Sequence, residues 1–437
     1  MPQDTPILIV GAGQAGAMAA AELRRLGHRG RIVMAGGERH APYERPPLSK
    51  SVLADAAQDG KIGVHPAGFY AGQEIELRLG TTVTALDPAH SMAHCADGEA
   101  IRYAACLLAT GGNARVLPTL PPGTPHVHYL RTLDDAARLR DAMQRAREVI
   151  VIGGGFLGLE TASTAAGLGL RVTLIESADR LLGRALPPEL GSWLAQRVLA
   201  QGVELRLGCG IAALVPQADG VQVRLADGAA LQAPLVVVAI GLTPEVALGA
   251  AAGLALDPAN GGIRVDQQGR TSAAGIYAAG DCCSQYQPRF GAHMRLESWQ
   301  SANEQARLAA AAMLGVQAEP AAMPWFWTDQ FGCNVQMLGA ATPDTRYAWR
   351  GIAASDAPCP RFMLLGTRHG RLSHAIAINA GGDLRPLRAL FGHAVEDLLP
   401  RLCDDALPLR QLVRDLPTAA ASPLHSERTP TCTRHKR

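Results

Sequence analysis

Two glycine-rich segments of the sequence have the residue types and spacing of dinucleotide-binding loops. Each follows the pattern Gly-x-Gly-x-x-Gly. The first glycine permits a tight turn from strand to helix, the second lets a pyrophosphate approach the backbone, and the third lets helix and strand pack closely. The phosphates then lie at a helix N-terminus, where free N–H groups and the helix dipole favour negative charge. The loop residues are Gly11, Gly13, Ala15 and Gly16 in the first copy, and Gly153, Gly155 and Gly158 in the second.

An acidic residue follows each loop at the distance expected for a ribose-binding carboxylate. Glu38 lies 27 residues and Glu176 lies 23 residues past the first glycine of its loop. A carboxylate there accepts hydrogen bonds from ribose hydroxyls and repels a 2′-phosphate, so Glu176 favours NADH over NADPH. The placement of Glu38 is less defined, because Gly36 and Gly37 precede it. One such loop is also typical of a structural turn, but two copies, each with its acid, favour dinucleotide binding at both.

The elements that must position these loops are an apolar strand before each one, a helix after it, and a second strand beyond. The hydrophobic pattern predicts such a strand–helix–strand unit twice. The predicted first strands are 6–10 and 148–152, the helices run to about 26 and 169, and the second strands are 31–35 and 171–175. A repeated unit of this kind predicts an α/β fold with parallel sheets.

The composition is that of a globular protein with room for two or three domains. Of its 437 residues, 48% are hydrophobic and 18% charged, and the net charge of +2 is too small to indicate a nucleic-acid or membrane-surface partner. No stretch reaches the roughly 18 apolar residues of a membrane span, and the longest, 234–242, is predicted to be a core strand. Because no basic region precedes the first apolar run, we expect no signal peptide and a cytoplasmic location.

The nine cysteines are scattered and show no Cys-x-x-Cys spacing, so a disulfide framework is not expected. Cys282 and Cys283 are adjacent and are interpreted as loop or core thiols. No set of histidines and cysteines has the spacing of a metal site, so no bound metal is expected. Any iron–sulfur centre must therefore belong to another protein.

Three further segments end apolar runs in small residues, and they resemble those of known flavoproteins. They contain Thr110-Gly111-Gly112, Gly241-Leu-Thr-Pro244 and Gly280-Asp281. With the two loops, they resemble the pyridine-nucleotide-dependent flavoprotein reductases with the glutathione-reductase fold. The resemblance implies FAD, bound tightly but not covalently, at the first loop and NADH at the second, with Asp281 holding the ribityl and pyrophosphate part of FAD.

The resemblance also implies how the chain divides into domains. Two Rossmann-like nucleotide-binding domains are expected, together with a C-terminal α/β interface domain. The FAD domain would comprise residues 1–112 and 241–320, the NAD domain 113–240 and the interface domain 321–415, and 416–437 are expected to be disordered.

The segment that bears on the chemistry is Pro42-Tyr-Glu-Arg45-Pro-Pro-Leu-Ser-Lys50. Disulfide reductases of this fold carry redox-active cysteines in the corresponding helix, whereas this chain has no cysteine before Cys95. The string resembles the ferredoxin-reductase branch, which includes putidaredoxin, rubredoxin and aromatic-ring dioxygenase reductases. The resemblance places Arg45 and Lys50 against the isoalloxazine, with the two prolines restricting where Lys50 points. The alternative is a proline-capped helix start with a solvated lysine.

Other site residues are expected from the same branch. Glu160 would pair with Lys50 and help to seat the nicotinamide, the alternative being an ordinary carboxylate in the first turns of a helix. Trp299 would lie over the flavin near the ferredoxin face, the alternative being a buried core tryptophan. Three aromatic residues at 325–327 are interpreted as part of a packed domain interface. By alignment alone, Val83 (ending an extended 81–83) and Arg131 are expected to contact FAD. The resemblance also implies FAD contacts for Thr110 and Gly111 of the small-residue segment, and NAD contacts for Arg184 and Gly241.

These features together imply an NADH-dependent ferredoxin reductase. Hydride would pass from NADH to FAD, and single electrons from FAD to a 2Fe–2S ferredoxin that feeds an aromatic-ring dioxygenase or, as second choice, a cytochrome P450. The alternatives are an NADH-binding flavoprotein that acts as a conformational signal, as in apoptosis-inducing-factor-like proteins, and an NADH oxidase or disulfide reductase. The sequence leaves open whether the chain is a monomer or a weak homodimer.

Overall fold

The computed structural model of the protein describes residues 5–415, so the tail expected at 416–437 lies outside the described residues. The chain divides into two compact units, one running to Gly332 and the other starting at Cys333. The first unit contains both glycine-rich loops. Its architecture mixes helices with parallel sheets, which confirms the predicted α/β class.

The strands of the first unit are, in chain order, β1 (Ile7–Val10), β2 (Ile32–Gly36), β3 (Ile75–Leu79), β4 (Val83–Asp87), β5 (Met92–Cys95), β6 (Ala100–Arg102), β7 (Ala105–Leu108), β8 (Gly112–Ala114), β9 (Val127–Tyr129), β10 (Glu148–Ile152), β11 (Arg171–Ile175), β12 (Glu204–Arg206), β13 (Ile211–Gln217), β14 (Gly220–Leu225), β15 (Ala230–Ala233), β16 (Val236–Val238), β17 (Leu242–Pro244), β18 (Ile263–Val265), β19 (Ile276–Ala278), β20 (Cys283–Gln287), β21 (Ala292–Met294) and β22 (Trp325–Gln330). Its α-helices are α1 (Gln14–Arg25), α2 (Ser51–Ala54), α3 (Phe69–Gly72), α4 (Leu133–Arg145), α5 (Phe156–Gly167), α6 (Pro188–Ala200), α7 (Ala247–Ala251) and α8 (Trp299–Met313). Short 3-10 helices cover Pro46–Ser49 and Ala56–Lys61.

The first parallel sheet has the order β19-β7-β1-β2-β3. Its central strand β1 is buried along its whole length, as expected for a parallel strand covered on both faces. The first glycine-rich loop joins β1 to α1, and α1 packs against α8 through small side chains such as Ala17, Ala20 and Ala306. Alanine lets the two helices approach closely, which brings the N-terminal end of α8 near the glycine loop, where Gln14 Nε2 donates to Asn303 Oδ1 at 2.7 Å.

The second parallel sheet has the order β12-β11-β10-β16-β9 and carries the second glycine-rich loop between β10 and α5. The apolar run 234–242 contributes β16 to this sheet, and Val236, Val237 and Val238 are almost wholly buried. Among residues 5–415, no helix is both long and apolar enough to cross a membrane.

Short strands link the two sheets where the sequence predicted small-residue turns. β8 and β17 pair antiparallel, with Gly112 opposite Pro244. A Cβ on Gly112 would lie 2.7 Å from the carbonyl oxygen of Thr243, so a glycine is needed for the two strands to lie this close. Val83 was expected to end an extended segment, which is wrong: it begins β4 and pairs with Cys95 of β5, because residues 81–82 lie outside the strand.

The second unit is an antiparallel sheet with short helices. Its sheet contains β23 (Cys333–Gly339), β24 (Arg346–Arg350), β25 (Phe362–Arg368) and β26 (Arg371–Ile378), and its helices are α9 (Leu384–Leu387), α10 (Leu399–Cys403) and α11 (Leu409–Arg414). Three 3-10 helices cover Gly381–Asp383, Arg388–Leu390 and Glu396–Leu398. The β25 and β26 strands are almost fully buried at their centres and form its core.

Candidate functional site

The first glycine-rich loop is built so that two glycines serve the fold and one faces open space. A Cβ on Gly11 would lie 2.1 Å from the carbonyl oxygen of Ala109, and one on Gly16 would lie 2.0 Å from that of Gly11. Gly11 also has a φ of +114°, which disfavours any other residue. A Cβ on Gly13 would meet nothing within 4 Å, so the room beside the helix start is free for another molecule.

The second loop repeats the arrangement closely. A Cβ on Gly153, whose φ is +112°, would lie 2.3 Å from the Ala239 carbonyl oxygen, and one on Gly158 would lie 1.9 Å from that of Gly153. Gly155 faces open space as Gly13 does. Neither α1 nor α5 has a side-chain hydrogen bond at its N-cap, so the first N–H groups of both helices can bind phosphate. Both cradles therefore fit the pyrophosphate of a dinucleotide.

Glu176 lies at the end of β11, beside the second loop. Its Oε2 accepts a hydrogen bond from the N–H of Gly154 at 2.6 Å, and its Oε1 accepts one from the N–H of Ala178 at 2.8 Å. The N–H of Leu182 binds the Gly154 carbonyl at 3.1 Å, so the segment after Glu176 covers the loop. Arg184 lies exposed in that segment.

Gly241 follows the second sheet at its crossing back to the first. It has a φ of +111° and its carbonyl accepts the N–H of Arg115 at 2.9 Å. A Cβ on Gly241 would meet nothing within 4 Å.

Glu38 and Arg45 are brought together beside the first loop. A guanidinium nitrogen of Arg45 lies 2.6 Å from Glu38 Oε1, and the Tyr43 hydroxyl donates to the other carboxylate oxygen. Burial raises the pKa of the Tyr43 phenol well above its ordinary value, which keeps this hydroxyl protonated as a donor. Arg45 also donates to the carbonyl of Arg131 at 2.5 Å, so these residues form one connected cluster.

Arg131 and Asp281 form a second ion pair next to that cluster, with Nη2 and Oδ2 2.9 Å apart. Arg131 Nε also donates to the Gly112 carbonyl at 2.7 Å. Thr110 and Gly111 hold the crossing segment, because Thr110 Oγ1 donates to the Glu245 carbonyl at 2.6 Å and the Gly111 carbonyl accepts the Glu245 N–H at 2.9 Å. The predicted FAD residues of three distant segments thus lie together.

Two predicted FAD residues are apolar and take part in packing. Val83 is buried in the core between the first sheet and β4–β6. Ala15 is buried at the start of α1, and a Cβ on Gly280 would lie 3.2 Å from its Cβ. Ala15 therefore allows the Gly280-Asp281 turn to approach the first loop.

Lys50 and Glu160 form a nearly buried ion pair, with Nζ and Oε1 2.7 Å apart and side-chain exposures of 21% and 9%. The same carboxylate accepts hydrogen bonds from Ser49 Oγ at 2.5 Å and from Thr328 Oγ1 at 2.7 Å. Lys50 is thus not a solvated lysine, and Glu160 is not an ordinary surface carboxylate of a helix start. The pair connects the segment after the first loop to the helix that follows the second loop.

Trp299 begins α8 and is partly buried. Its indole N–H donates to Glu44 Oε1 at 3.1 Å, and its ring packs edge-on against Trp327 with 5.9 Å between centroids. Trp327 in turn stacks on Trp325 at 5.0 Å. The aromatic residues of β22 therefore pack within the first unit, beside α8.

Three residues of this arrangement were not expected from the sequence. Ser49 and Glu44 belong to the motif that ends at Lys50, but the motif gives no indication of which partners their side chains find. Thr328 follows the aromatic run 325–327 and carries no local signal at all. Cys282 and Cys283 are fully buried, and burial raises the pKa of both thiols, so they are inert core residues.

Comparison with known proteins identifies the family. The chain matches the family described as pyridine nucleotide-disulphide oxidoreductase over residues 5–306, and the reductase C-terminal family over residues 325–413. It is 39% identical over 389 residues to the 3-phenylpropionate/cinnamic acid dioxygenase ferredoxin–NAD(+) reductase component of Photorhabdus laumondii, covering 89% of this chain and 96% of that protein.

Two solved structures are similar over nearly their whole lengths. The ferredoxin reductase for the CYP199A2 system of Rhodopseudomonas palustris has a TM-score of 0.83 and 37% identity, with 88% of this chain and 94% of that one covered. The reductase in the covalent putidaredoxin reductase–putidaredoxin complex has a TM-score of 0.87 and 32% identity, with 94% and 98% covered. The resemblance predicted from the motifs is confirmed. The chain therefore belongs to the pyridine nucleotide-disulphide oxidoreductase family, as an oxidoreductase that uses FAD and NADH.

Proposed function

We propose that the protein is an NADH-dependent ferredoxin reductase that supplies electrons to an oxygenase. The observation that carries the proposal is the largely buried Lys50–Glu160 pair, which joins the two nucleotide-binding parts at a point where the chain has no cysteine. Flavin is suited to the task because it accepts two electrons from NADH as hydride and can release them singly. The family includes disulfide reductases, but a thiol-based exit would need cysteines beside the flavin, and the first cysteine of this chain is Cys95.

The second cradle would hold NADH. The N–H groups at the start of α5 would bind its pyrophosphate, and Glu176 would accept hydrogen bonds from the hydroxyls of its adenosine ribose. Gly153, Gly155 and Gly158 would give the backbone its close approach, with Arg184 and Gly241 at the rim. Glu160 would orient the nicotinamide, and Lys50 would place a positive charge beside the bound flavin, where electron density arrives.

The first cradle would hold FAD. Gly11, Gly13 and Gly16 would meet its pyrophosphate, and Arg131 and Arg45 would offset its charge. Asp281 would accept hydrogen bonds from hydroxyls of the ribityl chain, and Glu38 would accept them from hydroxyls of the adenosine ribose. Val83, Thr110 and Gly111 would line the remainder of the site. The chain's contribution is to hold both cofactors in reacting geometry and to exclude water, since no general acid–base set is required.

The electrons would leave near Trp299 to a small 2Fe–2S ferredoxin. Two similar proteins support this partner: one is named as a ferredoxin–NAD(+) reductase component of a dioxygenase, and another is solved as a complex with putidaredoxin. An aromatic-ring dioxygenase is the first choice for the final acceptor and a cytochrome P450 the second. We further propose a cytoplasmic location and a monomer or weak homodimer as the active form.

We also propose that the nucleotide-binding parts are separate domains. Residues 1–112 and 241–320 would form the FAD domain, 113–240 the NAD domain and 321–415 the interface domain. Each of the two parallel sheets draws its strands from one of the first two of these regions, which supports the division.

The test is an anaerobic assay of the purified holoenzyme with NADH and a panel of 2Fe–2S ferredoxins. The decrease in the ferredoxin absorbance reports the rate of its reduction. Rapid reduction of at least one ferredoxin is expected. Two parallel assays without ferredoxin replace it by oxygen, under air, or by coenzyme A disulfide, under anaerobic conditions. Faster NADH oxidation with either acceptor than with every ferredoxin would contradict the proposal. A slow reaction that leaves a long-lived charge-transfer band would instead support a signalling flavoprotein.

A further inference from the structure

We propose that Ser49 and Thr328 are positioning residues for the reaction with NADH, because they hold the Glu160 carboxylate in one orientation. The inference rests on the proposed function, in which Glu160 orients the nicotinamide. It assigns a role to two hydroxyl groups that the sequence motifs do not single out.

The Glu160 carboxylate has a donor on each oxygen. Ser49 Oγ donates to Oε2 at 2.5 Å, while Thr328 Oγ1 donates to Oε1 at 2.7 Å, and Lys50 Nζ lies 2.7 Å from the same Oε1. Ser49 is 2% exposed, Thr328 0% and Glu160 7%, so water has little access to replace either hydroxyl. A carboxylate held on both oxygens cannot rotate about its last torsion without losing a hydrogen bond to an ionised group, which is among the stronger kinds.

The two hydroxyls belong to segments that are far apart in the sequence. Ser49 ends the 3-10 helix Pro46–Ser49, and Thr328 lies in β22. Helix α5, which carries Glu160, lies between them and contacts both elements. Removing the Ser49 hydroxyl therefore leaves Oε2 without its donor, and removing the Thr328 hydroxyl leaves Oε1 with Lys50 as its remaining partner.

Helix α5 reinforces this arrangement through its neighbouring side chains. Thr164 lies one turn after Glu160 and donates to the Ser49 carbonyl at 2.6 Å, so Ser49 is bound to α5 by its side chain and its backbone. Ser163 Oγ accepts the N–H of Phe331, the residue that follows β22, at 2.7 Å, which fixes the end of that strand to the same helix. Ser49 and the end of the strand that carries Thr328 are thus themselves held against α5, so the two hydroxyl groups define a direction for the carboxylate.

The decisive comparison is between Thr328→Val and Thr328→Ser in the FAD-loaded protein. Valine keeps the shape of threonine without the hydroxyl, and serine keeps the hydroxyl. Flavin reduction is followed by anaerobic stopped-flow with NADH and with NADH deuterated at the transferred position. We expect Thr328→Val to be about tenfold slower at saturating NADH. Its deuterium isotope effect should rise, because a misplaced nicotinamide makes the chemical step more rate-limiting. Thr328→Ser should stay close to the wild type.

Ser49→Ala provides an independent arm, and the double variant Ser49→Ala/Thr328→Val tests whether the two hydroxyls act on one group. Residues that share a partner give non-additive effects. Thr328→Val reducing flavin at the wild-type rate, or both Thr328 variants slowed equally, would overturn the inference. If Thr328→Val does not fold, an unchanged rate and isotope effect in Ser49→Ala overturns it instead. A wild-type flavin that NADH does not reduce would refute the proposed function itself, a result that these comparisons keep separate.

Discussion

Trp299 and Glu44 are 255 residues apart in sequence, yet the indole N–H of one donates to the carboxylate of the other at 3.1 Å. Glu44 precedes Arg45 in the motif whose last two residues, Ser49 and Lys50, contact Glu160. One short segment therefore contacts both the tryptophan proposed for electron exit and the glutamate proposed for NADH. The two ends of this segment can be perturbed separately.

Replacing Glu44 should slow electron transfer from the flavin to ferredoxin and leave flavin reduction by NADH unchanged. Glu44→Leu removes the acceptor of the Trp299 indole, and we expect ferredoxin reduction to slow about threefold to tenfold. The rate of flavin reduction by NADH, measured by stopped-flow, should stay unchanged. Glu44→Gln keeps an acceptor oxygen and serves as the matched control. Equal slowing of both half-reactions in Glu44→Leu would argue against a role confined to Trp299.

Lys50→Met should slow flavin reduction while FAD stays bound. The substitution leaves the buried Glu160 carboxylate without its cation and removes the positive charge proposed to lie beside the flavin. A decrease in the stopped-flow rate of about tenfold to a hundredfold is expected, with FAD content unchanged. Lys61→Met, at an exposed position, is the control. An unaffected rate would contradict the proposed role of Lys50 in flavin reduction.

Glu176→Gln should weaken the preference for NADH. The carboxylate now binds the Gly154 N–H at 2.6 Å and is placed to repel a 2′-phosphate. We expect kcat/KM for NADH to fall about tenfold and the gap to NADPH to narrow. Glu189→Gln, on the exposed side of α6, should leave both values unchanged. The same NADH-to-NADPH ratio in Glu176→Gln and wild type would contradict the assignment.

The glycines of the second loop should divide into two classes. Gly155→Ala adds a Cβ to open space, so the protein should fold normally but bind NADH more weakly, by about tenfold or more. Gly158→Ala places a Cβ 1.9 Å from the Gly153 carbonyl oxygen. The free energy of unfolding should therefore fall by several kcal/mol, roughly the cost of overpacking. Thermal unfolding and NADH titration of both variants check this. Normal stability of Gly158→Ala would refute the packing argument.

A buried histidine should make stability depend on pH. Burial lowers the pKa of His374 from its ordinary 6.5 to about 4, and its Nδ1 lies 2.7 Å from the Tyr347 hydroxyl. In the unfolded chain His374 therefore binds a proton below pH 6.5, whereas in the folded protein it stays neutral down to about pH 4. Stability should fall by about 3 kcal/mol as the pH drops through this window, and this contribution should not change further below it.

His374→Gln removes that contribution to the pH dependence. The difference between its urea-unfolding free energy and that of the wild type should vary across pH 6.5 to 4 and be constant above that range. His369→Gln, at an exposed position of the same unit, is the control for replacing a histidine by glutamine. A difference independent of pH would mean that His374 titrates alike in the folded and unfolded protein.

The parts of the fold that the sequence could predict are those with local causes. Gly11 and Gly153 are needed where a strand turns sharply into a helix, so the two loops and their flanking strands follow from spacing alone. The meeting of Lys50 and Glu160 was expected only through the family resemblance, because it joins segments 110 residues apart. Thr328 could not be anticipated. A threonine in a strand fits β structure wherever it occurs, and its hydrogen bond depends on how β22 packs against α5.

The strand pair β8–β17 was likewise missed, since each strand has only three residues and too little pattern to distinguish it from a turn. Arg45 and Glu38 illustrate a related limit. Their types indicate charge pairing, but a guanidinium with several carboxylates within reach in sequence can be assigned to one only when the backbone is known.

The hydrogen bond from Thr328 to Glu160 has a consequence for biosynthesis. The donor follows the acceptor by 168 residues, and Phe331 follows Ser163 by the same interval. A nascent chain can form β10, α5 and their sheet long before β22 leaves the ribosome, but Glu160 then lacks one of its donors. The carboxylate proposed to orient the nicotinamide is consequently fixed late. Fragments truncated before residue 325 should form helix and sheet but leave Glu160 without its Thr328 donor.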